Sequence, residues 1–444
     1  MKLKTVYICE KCGFNSQKWL GKCTECEAWN SFTEDVVDMA PAARKHAGIA
    51  AEPAPLAMQS GTEERIITGI GEFDRVLGGG IIEGSMILMS GEPGIGKSTL
   101  TLRVCEKVAS LGKKTLYVSG EESPSQIGLR AKRMGINNEN IFAVGETNLE
   151  NIMKTIGGGR GKTGADTDKP AFVVIDSIQV VSSSEIPSIA GSISQVRYCT
   201  ETLMKFAKQN RVPIMIIGHV TKDGNLAGPK ILEHLVDTVL LIEGERFADL
   251  RILRGLKNRF GSTNEIGLFE MVESGMEEVE NASKHFLEGR KEDAFGSAIT
   301  ATIEGTRPLL VEVQALTGPT PFGYPKRAAS GYDINRLQLL LAVIQKHLGL
   351  NVAAHDVYIN IVGGYKLSDP ASDLAVIMAV ISSLKKVPLP ASTVYIGEIG
   401  LGGELRNVSQ LQKRITESQK IGFENIITPA IKDIAAAAKV LSSK

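Results

Sequence analysis

The sequence predicts an α/β protein: a parallel-sheet nucleotide-binding core, a small cysteine-bearing module ahead of it and an α+β domain behind it. Three observations carry that expectation. From about residue 65 to 271, short β-branched runs (MILMS, KTLYVS, AFVVIDS, VPIMIIG, TVLLIEG) alternate with helical patterns, as repeated βαβ connections require. A glycine-rich loop of phosphate-binding type joins the first run to a helix. Four of the six cysteines form two CxxC pairs near the start, which is ligand spacing rather than a disulfide framework.

At 444 residues the chain is too long for one core and suggests roughly two to four domains. The expected divisions are a zinc module at 1–35, a linker at 36–62, an ATP-binding domain at 63–283 and a C-terminal domain at 284–444. Lys and Arg number 50 against 50 Asp and Glu, so no global field attracts nucleic acid and any such contact must be local. No apolar run approaches the ~18 residues of a membrane helix. The start MKLKTVYICEKC lacks the h-region and the composition of a targeting segment, so the expected location is cytoplasmic, with no membrane contact.

Cys9, Cys12, Cys23 and Cys26 can close a tetrahedral thiolate set around Zn²⁺ with no open position for water, a structural site. The ten residues between the pairs suggest a small knuckle; a redox pair or four free thiols is the alternative. Trp19, Trp29 and Phe32 read as the core of so small a module, the rival reading being a nucleic-acid surface with Lys18 and Lys22. The Ala- and Pro-rich stretch VVDMAPAARKHAGIAAEPAPLAMQSGT follows as a linker, with few large apolar groups at any period.

Gly91, Glu92, Pro93, Gly94, Ile95, Gly96, Lys97 and Ser98 fit GxxxxGK[ST] between an apolar strand (Ser85 to Met89) and a helix, the context the motif needs. Glycines let backbone N–H groups converge on the phosphates, and the helix N-terminus adds its dipole. Lys97 supplies the point charge, Ser98 can hold Mg²⁺ and Thr99 can reach the α-phosphate of ATP. The strand Phe172 to Asp176 delivers one carboxylate at its C-terminal end, where Mg²⁺ sits in such sheets. The strand Thr115 to Ser119 ends in Gly-Glu121-Glu122; one of these can polarise the attacking water, or the pair simply favours a helix N-terminus. GGGRGKTGADTD reads as a surface insertion, Cys105 and Cys199 as core residues, and His219 as either a strand-end structural group or a γ-phosphate sensor.

The run TGIGEFDRVLGGGIIEGSMILMSGEPGIGKST resembles the RadA family of bacterial recombination and repair ATPases and, less closely, the wider RecA and KaiC group. That resemblance implies a RecA-like P-loop ATPase core, a four-cysteine finger and a Lon-protease-like C-terminal domain, in that order along nearly the whole chain. In RecA-like enzymes the catalytic glutamate stands where YVSGEES lies, which implies Glu121, with Glu122 as the fallback. Lys257-Asn-Arg-Phe-Gly261 matches the family's KNRFG signature at all five positions. It is similar to the Lys-x-Arg stretch that hexameric DnaB helicases send into a neighbour, making Arg259 the expected arginine finger and Lys257 its partner. A solvated basic hairpin is the alternative.

The segments VYINIVGGYKLSDPASDLAVIMAVISSL and YIGEIGLGGELRNVSQLQKRI resemble the Lon proteolytic domain. Ala371 stands where its serine nucleophile belongs and Gln412 where its lysine belongs, and neither can serve a Ser-Lys dyad. Ser372 and Lys413 are one residue away, which on a helix is about 100° off the required face. The family resemblance further implies a DNA-dependent ATPase, assembled as a homo-hexamer, that translocates on single-stranded DNA. It also implies that branched recombination intermediates are processed together with the RecA recombinase. RecA-like folds project the loops Ser182 to Gln195 and Thr221 to Lys230 toward the ring axis, implying Lys222, Lys230 and Lys257 as DNA contacts. Two other functions stay in view: a Lon-type ATP-dependent peptidase, and a KaiC-like assembly switch without DNA.

Overall fold

The computed structural model describes residues 3–9, 14–25, 27–38, 64–157, 169–218, 231–244, 249–279, 281–291, 293–321 and 323–439. The chain divides into two compact units, Met1–Glu243 with Arg251–Glu278, and Gly244–Leu250 with Val279–Lys444.

The first unit opens with β1 (Leu3–Cys9), β2 (Asn15–Ser16) and β3 (Phe32–Asp38), ordered β2-β1-β3. β1 and β3 pair antiparallel along their whole length, from Leu3 opposite Asp38 to Cys9 opposite Phe32. This is a ribbon with more sheet than the expected knuckle, because the β-branched residues of TVYI and DVV suit a pleated surface. β3 also takes in the first residues of the expected linker; the rest of that stretch lies outside the described residues, as do 158–168 of the glycine-rich insertion.

The core continues through β4 (Arg65–Ile66), α1 (Gly71–Leu77), β5 (Ile81–Ile82), β6 (Met86–Gly91), α2 (Lys97–Ser110), β7 (Thr115–Ser119), α3 (Pro124–Arg133), β8 (Ile141–Gly145) and α4 (Leu149–Ile156). It is completed by β9 (Phe172–Asp176), α5 (Ile193–Asn210), β10 (Ile214–Ile217), α6 (Ile231–Leu235), β11 (Thr238–Glu243), β12 (Leu250–Asn258), β13 (Ile266–Val272) and β14 (Gly275–Glu278). The large sheet runs β14-β13-β12-β11-β6-β10-β9-β7-β8. From β8 to β11 all neighbours are parallel. Every residue of β6, β7, β9 and β10 is buried, which is why these strands read as unbroken apolar runs. Beyond β11 the sheet turns antiparallel, β12 against β11 and β14 against β13, an extension the parallel expectation did not include. One face packs Leu100, Val104 and Val108 of α2 with Phe73 of α1. The other packs Val196, Cys199 and Leu203 of α5 against Leu88, Val173 and Ile175.

The second unit comprises α7 (Ala282–Leu287), β15 (Ser297–Glu304), β16 (Arg307–Pro319), β17 (Arg327–Ser330), α8 (Ile334–Leu348), β18 (His355–Ile361), α9 (Asp373–Lys385) and β19 (Thr393–Tyr395). β20 (Glu398–Ile399), β21 (Leu405–Arg406), α10 (Leu411–Ile421), β22 (Asn425–Ile427) and α11 (Ile434–Ala438) follow. Its main sheet is ordered β17-β18-β16-β15-β19-β22. α9 starts two residues later than its apolar pattern suggested, because Pro370–Ser372 forms a 3₁₀ turn whose Ala371 N–H bonds Asp369 Oδ1. No helix among the described residues is long and apolar enough to cross a membrane.

Candidate active site

β6 ends at Gly91 and the chain curls through Glu92 to Gly96 before α2 begins at Lys97. The curl needs glycine at Gly96, whose φ is +114° and where a Cβ would lie 2.4 Å from Met276 Cε. At Gly91 a Cβ would lie 2.7 Å from the Ile242 carbonyl oxygen, so the loop packs directly on β11. Lys97 is the first residue of α2 and is buried; its Nζ donates to the Gly91 and Glu92 carbonyls at 2.8 and 2.9 Å. Burial pulls its pKa below the ordinary lysine value, opposed by the charges of Asp176 and Glu121.

Ser98 Oγ donates to Asp176 Oδ2 at 2.7 Å. In the β7–β9 ladder Ser119 stands opposite Asp176, which brings Glu121, just beyond β7, to the same edge. Ser177 Oγ donates to Glu121 Oε1, whereas Glu122 forms an ion pair with Arg130 on α3. The two adjacent glutamates are thereby sorted: Glu121 joins Lys97, Ser98 and Asp176, while Glu122 anchors a helix. The sequence reading missed Tyr117, whose buried hydroxyl donates to Asp176 Oδ2 at 2.6 Å and whose pKa burial raises well above the phenol range. Its position two residues before Ser119, on one face of β7, was the available signal. Arg251 was missed too; its Nε donates to the Ile95 carbonyl at 3.2 Å. Thr99 borders a cleft of about 660 Å³ with Arg133, Met134, Met271 and Gly275, roomy enough for a nucleoside beside the loop.

Lys257 and Arg259 do not join this group. Thr238 at the start of β11 pairs with Ile87 of β6 and with Asn258 of β12, so the KNRFG turn lies at the N-terminal edge of the parallel strands. Arg251, beside the phosphate loop, and Arg259 are separated by eight steps of nearly extended chain, about 26 Å at ~3.3 Å per residue. Arg259 is half-exposed, with Nη1 3.5 Å from Asp237 Oδ1. Lys257 Nζ donates to the Glu233, His234 and Val236 carbonyls at 2.7, 3.2 and 2.8 Å. Those three acceptors occupy its three protons and tie down the end of α6. His219, Lys222 and Lys230 lie outside the described residues.

In the ribbon, Cys9 and Cys23 are buried in one apolar cluster with Phe32, flanked by Tyr7, Phe14 and Leu20. Cys12 and Cys26 lie outside the described residues. Phe14 meets Phe32 edge-on at 6.5 Å. Trp19 and Trp29 are 53% and 72% exposed, which corrects the expectation that they form the core; Phe14 takes that place. Cys9 at the end of β1 and Cys23, buried in one cluster, fit two of the four ligand positions of a four-sulfur zinc site.

In the second unit Ala371 is buried, Gln412 is exposed, and Ser372 Oγ donates to the Asp369 carbonyl at 2.6 Å. Lys413 is exposed, and the buried basic group of α10 is Arg414, whose Nη1 lies 2.6 Å from Asp369 Oδ2.

Three family models match this chain: the KaiC ATPase over residues 66–264, a rubredoxin metal binding domain over 7–34, and subunit ChlI of Mg-chelatase over 336–432. The chain is 49% identical to the DNA repair protein RadA of Bacillus subtilis (strain 168), across 97% of this chain and 93% of that one. It is 48% identical to the Listeria monocytogenes RadA, covering 96% and 92% of the two chains. The identity is also 48% with the RadA of Halalkalibacterium halodurans, over 96% and 93%.

Proposed function

The chain belongs to the RadA family of DNA repair proteins, and from that premise we propose that it is a DNA-dependent ATPase whose subunits complete one another's active sites in a ring. The fold is RecA-like, with an N-terminal zinc ribbon and a ChlI/Lon-like C-terminal domain. The KaiC-type domain implies ATP hydrolysis. The observation that carries the proposal is the split constellation: Lys97, Ser98, Glu121 and Asp176 at one edge of the sheet, Arg259 at the other.

Backbone N–H groups of Gly91 to Thr99 receive the phosphates, and Lys97 swings from the loop carbonyls to the β- and γ-phosphates. Ser98 and Asp176 would hold Mg²⁺, which neutralises phosphate charge when bound. Glu121, oriented by Ser177, orients and polarises the attacking water. Arg259 cannot reach its own site, so it serves the neighbour's, where charge spreads over the transferring phosphoryl group. Lys257 then acts as the positioning residue that fixes this turn. Such head-to-tail completion needs a repeated heterologous contact, which closes into a ring when its rotation divides a full turn, and the likeness to hexameric helicases makes that ring a homo-hexamer. Its work is translocation on single-stranded DNA and branch migration of recombination intermediates with the RecA recombinase, in the cytoplasm. Lys222 and Lys230 are its phosphate contacts.

With Ala371 and Gln412 at the dyad positions, the C-terminal domain is a non-peptidase scaffold. The family-model match supports zinc in the ribbon, where Cys9, Cys12, Cys23 and Cys26 would hold it. Changing any one of the four to Ser should release that zinc and unfold the ribbon, because the metal's binding energy is folding energy there. Elemental analysis of protein purified without chelator checks this, and a zinc-free wild type contradicts it.

ATPase rate with and without single-stranded and forked DNA tests the function itself: stimulation is expected, and an unchanged rate contradicts it. Glu121→Gln should bind ATP with near-normal affinity yet hydrolyse it about 10²- to 10⁴-fold more slowly, the usual size of a general-base contribution. Loss of activity in Glu122→Gln with a normal Glu121→Gln would reverse the assignment.

A further inference from the structure

Asp176 ends β9 with a carboxylate that receives two hydroxyls on the same oxygen. Ser98, in the first turn of α2, donates to Oδ2 at 2.7 Å, and Tyr117 of β7 donates to it at 2.6 Å. No hydrogen bond reaches Oδ1 among the described residues. Magnesium beside phosphate takes hard oxygens, with one or two carboxylates among them, and Ser98 with Asp176 supplies such a set.

The fold explains why the second hydroxyl comes from a tyrosine. In the ladder of β7 on β9, Tyr117 stands opposite Val174, two residues before Asp176. Val174 and Asp176 share a face of the sheet, about 6.6 Å apart along the strand at ~3.3 Å per residue. A serine or threonine at 117 would fall short of that diagonal, whereas a phenol spans it. The ring is 1% exposed and lies in the core cluster with Leu100, Phe172 and Val174, so packing sets its direction. A buried hydroxyl needs a partner, and a charged acceptor gives the stronger kind of hydrogen bond.

We propose that Tyr117 is a positioning residue for the divalent cation of the ATPase site: by holding Oδ2 it leaves Oδ1 of Asp176 turned toward the cation. The proposal rests on the reading of the chain as an ATPase and deepens it. Ser98 serves both the carboxylate and the cation, while the phenol, enclosed in the core, gives its proton to the carboxylate alone. Partners that orient a metal ligand in this way are worth about 10- to 100-fold in metal affinity.

The test is Mn²⁺ binding by the full-length protein with one equivalent of ADP per protomer, read as free Mn²⁺ by electron paramagnetic resonance, so that no turnover enters the reading. Tyr117→Phe, which keeps the ring, should raise the Mn²⁺ dissociation constant about 10- to 100-fold while ADP affinity in EDTA stays at the wild-type value. Steady-state ATPase should show the same split, with turnover restored as Mg²⁺ is raised. An unchanged Mn²⁺ constant makes Tyr117 a packing residue and overturns the proposal. Turnover that stays low at every Mg²⁺ concentration, or an equal loss of ADP affinity in EDTA, overturns it too. If the wild type neither takes up Mn²⁺ with ADP nor hydrolyses ATP, the ATPase reading itself fails; if it does both and Tyr117→Phe matches it, only the proposal fails. Should Tyr117→Phe not fold, Tyr117→Met, whose flexible side chain fills irregular core space, replaces it with the same split expected.

Discussion

Lys97→Ala should lower ATP turnover by at least about 10²- to 10³-fold, the cost of removing a single fixed donor from a developing oxyanion. The true loss should exceed that range, because a full cation is removed. The expected damage to the fold is small. Burial already disfavours the ammonium, and its two bonds go to carbonyls of the loop itself. The thermal midpoint should therefore move by only a few degrees for a loss of about 1 kcal/mol, while steady-state hydrolysis falls to background. A variant that unfolds would point instead to Lys97 as a strut of the loop. Wild-type turnover in a folded Lys97→Ala protein would remove the phosphate-loop assignment.

Arg259→Ala should cost about 10³- to 10⁵-fold in turnover, the range that arginine fingers contribute, without weakening ATP binding by the same subunit. Geometry supports both halves of that expectation. The residue's own phosphate loop lies at the far end of β6 and β12, so the intact Gly91 to Thr99 loop still binds nucleotide. Releasing the guanidinium from Asp237 is cheap, since a pair with one half-exposed member at 3.5 Å is worth about 0–1 kcal/mol. Nor does its removal strand the carboxylate: Asp237 keeps the Met86 N–H at 3.1 Å and Lys208 Nζ at 3.4 Å. Equilibrium binding of a fluorescent ATP analogue, measured beside turnover, separates the two effects. A loss of binding in parallel with turnover would mean that Arg259 acts on its own subunit.

The parts of this site that were legible in the sequence are those whose chemistry is contiguous. GEPGIGKST needs a strand before it and a helix after it, and both could be read from eight or so neighbouring residues. Asp176 was legible because a buried parallel strand ends where its apolar run ends. From the residues alone Glu121 and Glu122 could not be told apart, since the choice is made by partners that only the fold brings near: Ser177 for one, Arg130 for the other. The separation of Arg259 from its own loop was hidden for a similar reason, because it follows from the registers of β11 on β6 and β12 on β11. Lys257 looked like an active-site cation, and only tertiary structure shows its ammonium closing the end of α6. The ribbon misled in another way. Tryptophan is usually a core residue in a very small module, but here Phe14 and Phe32 fill the space beside Cys9 and Cys23, leaving both indoles outside.

The measurement that bears most directly on sites completed between subunits is a mixing experiment. Lys97→Ala protomers carry a working finger and a dead loop; Arg259→Ala protomers carry a working loop and no finger. Each is expected to be inactive alone. Combined at varied ratios, they should rebuild some complete sites and recover a fraction of wild-type ATPase that peaks at intermediate ratios and requires protein concentrations that support assembly. Zero recovery at every ratio, in samples where mixed oligomers are shown to form, would contradict completion in trans and leave the KNRFG turn as a packing or DNA-binding element.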